Sequence, residues 1–302
     1  MSCAIEQLVV SARKALFAMY ARCRQLHITD PRLRCQLFDA LVRPILSYAC
    51  EIWVPLGCKV AMQKLEQVHL GFLKSLLGVP VCTASKLVYA EFARAPLKHY
   101  CWKQCLRYKE RMHAMDTNRL CKVAFLMACR NNSAWHRGIE ARLQKLSTPP
   151  APPDEDFNAS TAITASADMD TTWIMQPDPE SSLQQTYYSY KQHYRMEPYI
   201  YEAKNTHLRK ILARFRTGTH WLQVRSGRHR GIAREHRLCH CGSNVVEDEL
   251  HAIFDCPLYV PIREKFADLF EGTSNLYTFL CRNSAHRVAL FLNECKAARM
   301  PQ

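Results

Sequence analysis

The sequence predicts a mainly α-helical fold. Three observations support this prediction: the low glycine content, the overall composition and the hydrophobic periodicity. Only nine glycines occur in 302 residues, and 48% of the residues are hydrophobic, enough for a sizeable core and for two domains. Apolar residues recur every three or four positions over long stretches, which is the spacing of one helix face. No run approaches eighteen uninterrupted apolar residues, so we expect neither a transmembrane helix nor a membrane partner.

Residues 1–146 predict an N-terminal helical bundle. An amphipathic stripe indicates a first helix over residues 4–26. Asp30 suits a helix cap and Pro31 a first helical turn, so a second helix begins there. Pro44 should kink or break that helix, because it lacks an amide proton. Further helices are predicted at 59–77, 84–93, 97–115, 118–130 and 133–146.

Residues 147–182 predict a disordered acidic linker. The segment is rich in Pro, Ser, Thr and Ala, and it holds seven acidic side chains and no basic one. Such a composition buries too little apolar area to offset the conformational entropy of the chain. The alternative is an ordered surface loop held by Trp173 and Met175.

The charge is distributed unevenly along the chain. Residues 1–145 carry 23 basic and 9 acidic side chains, and residues 186–234 carry 11 basic and two acidic ones. Residues 235–302 are slightly acidic. The two basic blocks predict surfaces that face a polyanion.

The most specific pattern lies in residues 183–302, which predict a small helical domain. It reads C-x-C-x9-H-x4-C and consists of Cys239, Cys241, His251 and Cys256. Three thiolates and one imidazole are the ligands of a closed, structural Zn²⁺ site.

The first half of this pattern has an unusual spacing, because structural zinc sites commonly begin with C-x2-C or longer. Only His240 separates the first two cysteines, which makes His240 a rival ligand. Gly242 could supply the backbone angle that a short chelating turn requires. The alternative is two ordinary buried thiols and a surface histidine.

A basic segment, Arg209–Arg234, precedes the metal pattern and contains eight Lys or Arg and no acid. It predicts contacts with the phosphates of RNA or DNA. Trp221 could stack on a base or fill the core. The eight basic candidates are Arg209, Lys210, Arg214, Arg216, Arg225, Arg228, Arg230 and Arg234.

Fifteen cysteines raise the question of disulfides. Their odd number, their scatter and the lack of an export signal argue against a disulfide framework. We therefore expect reduced thiols and a cytoplasmic or nuclear location.

Several stretches resemble the C-terminal part of reverse transcriptases from non-LTR (LINE-type) retrotransposons. LFDALVRPILSYACEIW (37–53) and KLEQVHLGFLKSLLGVP (64–80) are similar to the segment that follows the catalytic domain. LARFRTGTHWLQVRSGRHRGIAREHRLC (212–239), with VEDELHAIFDCPLY (246–259), is similar to the zinc-knuckle region. The resemblance implies that the N-terminal bundle is thumb-like and post-thumb-like, and that the knuckle binds nucleic acid. The family shows C-x2-C or C-x3-C more often than C-x-C.

The chemistry of polymerisation predicts an inactive protein. A polymerase holds two metal ions with paired carboxylates, in this family partly through a Tyr-x-Asp-Asp turn. The sequence has no Asp-Asp pair, and its acidic clusters are Asp154–Asp156 and Glu247–Glu249. We therefore expect a catalytically inactive remnant that binds RNA or single-stranded DNA. Alternatives are a helical protein-interaction module or relic, and a polymerase completed by a separate catalytic chain. The oligomeric state is left open.

Overall fold

The fold is mainly α-helical, which confirms the predicted class. A computed structural model describes residues 2–146, 157–203 and 205–299. These residues form seventeen helices and no strand, and their only β-type pairing is an isolated antiparallel bridge between Leu238 and Val246. None of these helices has the length and apolar character needed to cross a bilayer.

The helices are numbered in the order in which they occur along the chain. The first nine are α1 (Ser2–Gln25), α2 (Pro31–Leu41), α3 (Arg43–Leu46), α4 (Cys50–Trp53), α5 (Lys59–Leu77), α6 (Ser85–Phe92), α7 (Leu97–His113), α8 (Leu120–Arg130) and α9 (Ala134–Lys145). The others are α10 (Ala159–Met175), α11 (Ser182–Tyr190), α12 (Tyr199–Glu202), α13 (Thr206–Arg216), α14 (Gln223–His229), α15 (Val260–Lys265), α16 (Leu276–Cys281) and α17 (Ala285–Arg299).

Local chemistry fixes several helix ends, as the sequence predicts. Asp30 caps α2, because its Oδ1 atom accepts a hydrogen bond of 2.9 Å from the Arg32 amide. The chain breaks between α2 and α3 next to Pro44. Helix α5 ends before Gly78, whose φ of +76° lies in the left-handed region that favours glycine.

The chain forms two compact units whose boundaries differ from the predicted domains. One unit contains Met1–Leu70 and Ala95–Ile174, and the other contains Gly71–Arg94 and Met175–Gln302. The prediction that residues 71–94 belong to the N-terminal domain is therefore wrong. The physical reason is a buried ion pair between Glu91 and Arg216, which lie in the same unit. A prediction that divides the sequence into contiguous segments cannot detect a pair so far apart.

Helices α1, α2 and α3 pack together in the first unit, and α4 packs against α7. The core of this unit contains the fully buried side chains of Phe38, Leu46 and Leu65. Gly138 allows α9 to lie close to Pro55, because a Cβ atom at position 138 would be 1.9 Å from the Pro55 carbonyl oxygen.

The predicted disorder of the acidic linker is wrong for Ala159–Met175, about half of its length. Residues 147–156, which include Asp154–Asp156, lie outside the described residues, but Ala159–Met175 is a helix. Small side chains let α10 pack closely: Ala159 and Ala162 are buried. Its first turn is also held by a hydrogen bond of 2.8 Å from the Ala159 amide to Glu110 Oε1.

The second unit is built around α13 packed against α17, and α11 packed against α16. A group of phenylalanine rings fills its core, with ring centroids 5.5 to 6.2 Å apart. These rings are Phe254, Phe266, Phe270, Phe279 and Phe291.

Candidate metal centre and basic surface

Four side chains that could hold a metal ion meet in the second unit. This metal cluster consists of Cys239, Cys241, His251 and Cys256. The Sγ atoms of Cys239 and Cys256 are 3.6 Å apart, and Cys241 Sγ is 3.4 Å from His251 Nε2. All four ligand atoms lie within 4.8 Å of one another, so one ion can contact all of them.

A tight turn brings the first two cysteines to the cluster. The Leu238–Val246 bridge closes it, and the Cys239 amide donates a hydrogen bond of 2.8 Å to the Val245 carbonyl. Gly242 has a φ of +82°, which confirms that glycine supplies an unusual backbone angle here. The turn thereby accommodates the C-x-C spacing.

A second turn presents the other two ligands. The His251 amide donates to Asp248 Oδ1 at 3.0 Å, and the Cys256 amide donates to the His251 carbonyl at 2.7 Å. His251 and Cys256 are both buried. His240 is exposed and lies outside the cluster, with its Nε2 atom 3.3 Å from Gln223 Nε2.

Two buried carboxylates hold the elements around these turns. Glu247 accepts a hydrogen bond of 2.7 Å from the Gln223 amide and one of 2.9 Å from Arg299. Glu249 accepts one of 2.8 Å from Arg225 and contacts His220 at 3.1 Å. Burial raises the pKa of Glu249, but the hydrogen bond and charge of His220 and the charge of Arg225 outweigh it, so the pKa is lowered overall.

The thiols of the metal cluster differ in acidity. Burial raises the pKa of Cys239 to about 12 and also raises that of Cys256. Burial also tends to raise the pKa of Cys241, but hydrogen bonds with Ser243 and neighbouring groups outweigh it and lower this pKa to about 6. Metal binding requires thiolates, so an ion entering this cluster would displace protons from the two buried thiols.

The basic segment does not form one continuous exposed surface. Arg209, Arg216 and Arg225 are buried, so the prediction that they contact nucleic acid is wrong for these three. Arg209 donates to the Ile200 carbonyl, and Arg225 pairs with Glu249. Their charges are already used within the protein.

Arg216 belongs to a buried ion network, here called the Glu91 network, which sequence reasoning missed. Its guanidinium is 3.1 Å from Glu91 and 2.8 Å from Glu197. The hydroxyl groups of Tyr187 and Tyr199 donate to Glu91 at 2.9 and 2.6 Å. These tyrosines therefore serve packing and internal hydrogen bonding.

The remaining basic candidates are exposed: Lys210, Arg214, Arg228, Arg230 and Arg234. Arg234 has a carboxylate partner, Asp248, at 3.4 Å. Arg214 donates to the Gly78 carbonyl at 2.9 Å, which leaves its positive charge without a carboxylate partner among the described residues.

Trp221 lies at a cationic cleft of about 370 Å³, here called the Trp221 cleft. The side chain is half-buried, and its indole Nε1 atom is buried without a hydrogen-bond partner. Its ring lies 6.2 Å from those of Phe215 and His220, so it packs on the core and also borders the cleft. The cleft is lined by His207, Lys210, Ile211, Arg214, Thr219, His220, Trp221 and Lys296.

A serine, a histidine and an aspartate also meet in the first unit. Ser166 Oγ lies 3.5 Å from His99 Nδ1, and Asp170 contacts the same nitrogen. In a hydrolytic triad the nucleophile and the carboxylate use opposite ring nitrogens. This group does not have that geometry, and we assign it to holding α10 in place.

Comparisons with known proteins add no relative: no protein family and no curated protein matches the sequence, and no solved structure matches the fold.

Proposed function

We propose that this protein binds single-stranded nucleic acid, RNA or DNA, through a basic surface that a structural Zn²⁺ ion holds in place. We further propose that it is a catalytically inactive remnant of a LINE-type reverse transcriptase, acting in the cytoplasm or nucleus. The observation that carries the binding proposal is the Trp221 cleft, where unpaired cations border an indole ring. Trp221 precedes the metal cluster in the sequence and lies within the stretch that resembles the zinc-knuckle region of the family.

The metal cluster supports zinc by its ligands and spacing. Zn–S bonds of about 2.3 Å in a tetrahedral site place neighbouring sulfurs about 3.8 Å apart. The distance of 3.6 Å between Cys239 and Cys256 is close to this value. Four protein ligands leave no open position for a substrate, which favours a structural role for the ion.

The Trp221 cleft supports nucleic acid as the partner. Lys210, Arg214 and Lys296 can neutralise backbone phosphates, and the exposed part of the Trp221 ring borders them. Single-stranded nucleic acid offers unstacked bases for an aromatic side chain. Arg228 and Arg230, at and just after the end of α14, add two further exposed cations.

The test is a titration of fluorescent single-stranded RNA with the full chain at low and moderate salt. The triple substitution Lys210→Glu, Arg214→Glu and Lys296→Glu should weaken binding about tenfold or more, because phosphate contacts dominate such affinity. Binding by the unaltered protein should fall linearly in a plot of log affinity against log salt.

The matched control reverses three exposed charges on α1, at Arg13, Lys14 and Arg24. Equal losses in both triple variants would mean that net charge, and not the cleft, governs affinity. Absence of RNA binding at low salt would overturn the proposal.

A second candidate function, a helical protein-interaction module, is favoured by exposed apolar side chains in the first unit. Phe17 and Tyr48 are 68% and 69% exposed, and Leu26 is 66% exposed. A partner chain, including a separate catalytic subunit, could cover such residues. Phe17→Asp and Tyr48→Asp should then abolish co-purification with that partner and leave RNA affinity unchanged.

A further inference from the structure

The first unit contains a cleft with four cationic side chains and no acidic one in its lining. It has a volume of about 250 Å³ and is here called the Trp102 cleft. Its floor and walls are mainly apolar. The lining includes Trp53, Met62 and Trp102 as large apolar groups and Lys59, Lys98, Arg142 and Lys145 as cations.

The apolar wall is rigid and aromatic. The Trp53 indole donates a hydrogen bond of 3.0 Å to the Tyr48 carbonyl, which fixes the orientation of this buried ring. Trp102 is half-buried, so part of its ring is free to face a ligand. Flat apolar side chains of this kind bind aromatic rings by stacking or by edge contact.

Three of the four cations of the cleft, the lysines, have no ion-pair partner in the described part of the first unit. The ammonium groups of Lys59, Lys98 and Lys145 have no carboxylate partner within 4 Å among the described residues. The acidic groups recorded beside the lining are Asp170, near Arg142, and Glu66, which accepts a bond from the Lys98 amide. The electrostatic potential of the cleft therefore favours an anion.

Arg142 is the group best placed to hold that anion. Its Nη2 atom donates to Ser166 Oγ, and its guanidinium lies 5.5 Å from the centroid of the Trp102 ring. The Nε atom is buried and has no hydrogen-bond partner. Arg142 also lines the cleft, so the accessible part of its guanidinium can donate to an acceptor oxygen there.

We propose that the Trp102 cleft binds a nucleoside monophosphate group, with its base against Trp102 and its phosphate held by Arg142 and Lys98. An aromatic ring and a phosphate on one ligand match the two kinds of lining side chain. The group can belong to a free nucleotide or to the phosphorylated end of a strand. The site lies entirely within the first unit and does not depend on the Trp221 cleft.

The experiment is isothermal titration calorimetry of the full chain with AMP, adenosine and inorganic phosphate. AMP should bind about tenfold or more tightly than either fragment, because it alone engages both the ring wall and the cations. The pair Lys98→Ala and Lys145→Ala should weaken AMP binding about tenfold. No AMP binding at millimolar concentration would overturn the proposal.

The matched control is the pair Arg107→Ala and Arg137→Ala, which removes two exposed charges from the same helices, α7 and α9. Its AMP affinity should stay within about twofold of the unaltered protein, and an equal loss in both pairs would overturn the assignment. Trp102→Leu should weaken AMP more than phosphate. The lysine pair lies at the surface, so the test does not depend on the folding of the Trp102 variant.

The two sources of the ligand are separated with a short RNA that carries either a 5′-phosphate or a 5′-hydroxyl. Preference for the phosphorylated strand over AMP assigns the strand end, and equal or tighter binding of AMP assigns the free nucleotide. The triple variant of the Trp221 cleft should bind AMP normally, which keeps this result separate from the proposed function.

Discussion

Arg214 and Arg216 lie two positions apart on α13 in opposite environments. Arg214 is exposed and borders the Trp221 cleft, whereas Arg216 is 1% exposed and lies between two carboxylates. Burial lowers the tendency of Arg216 to carry charge, but Glu91 and Glu197 reverse this effect, so its pKa is raised overall. Two arginines of one basic segment thus have different physical roles.

The role of Arg216 can be tested by its effect on stability. Arg216→Ala should lower the free energy of unfolding by about 3–5 kcal/mol, because Glu91 would remain buried without its cation. Arg214→Ala should change stability little and should weaken RNA binding instead. Urea denaturation of both variants checks this, and similar stability losses would contradict it.

Thiol reactivity should follow burial. Burial, the Cys50 thiol and the Glu51 carboxylate raise the pKa of Cys105, and a hydrogen bond with Cys50, together with burial, raises that of Cys101. Both thiols therefore stay protonated at pH 8 and should resist iodoacetamide in the folded protein. Cys82 and Cys121 are exposed and should react. Mass spectrometry of the alkylated protein, with a urea-unfolded sample as reference, distinguishes the sites.

The sequence identified the metal cluster fully but only part of the basic surface. Ligand types and a local spacing of eighteen positions define the cluster, so short-range reasoning was sufficient. The direction in which Arg209 or Arg225 points depends on partners elsewhere in the chain, and no pattern of basic residues contains that information. An isolated acid such as Glu91 within an apolar helix was the one available signal of a buried partner.

At the scale of single elements, the close approach of α9 to Pro55 depends on the absence of a side chain. Gly138→Ala should destabilise the protein by about 1–3 kcal/mol, because the added Cβ would overlap the Pro55 carbonyl. Gly71 is the control on α5, where an added Cβ meets nothing within 4 Å. Gly71→Ala should raise stability by about 0.5–1 kcal/mol. Thermal unfolding of both variants measures the contrast, and equal effects would refute the steric argument.

Helix α10 explains why composition alone failed for the acidic linker. Its alanine side chains bury little area each, but they permit close packing, and Ser166 and Asp170 contact side chains from α7 and α9. Helices α2 and α5 were predicted well because caps, prolines and glycines mark their ends locally. Comparable signals also flank α10, because Asn158 Oδ1 accepts a hydrogen bond of 2.8 Å from the Ser160 amide and Pro177 follows the helix, but the composition of the segment outweighed them in the prediction.

At the scale of the whole molecule, the metal cluster should determine the order of the surrounding turns. Removal of the ion with a chelator should raise the rate of amide hydrogen exchange in residues 235–260. Without the ion, the four ligands lose the partner that holds these turns together. The amides of α2, in the first unit, should exchange as before. Exchange in 235–260 that is unaffected by the chelator would show that these turns fold without metal.

The Glu91 network also constrains how this sequence can diverge. Glu91 and Arg216 are 125 positions apart, yet loss of Arg216 would leave Glu91 buried without its cation, whereas loss of Glu91 would leave Arg216 paired with Glu197. Among descendants of this gene, replacement of Arg216 should therefore occur together with replacement of Glu91. The residues at positions 91 and 216 should then vary less among related sequences than the exposed arginines near position 216.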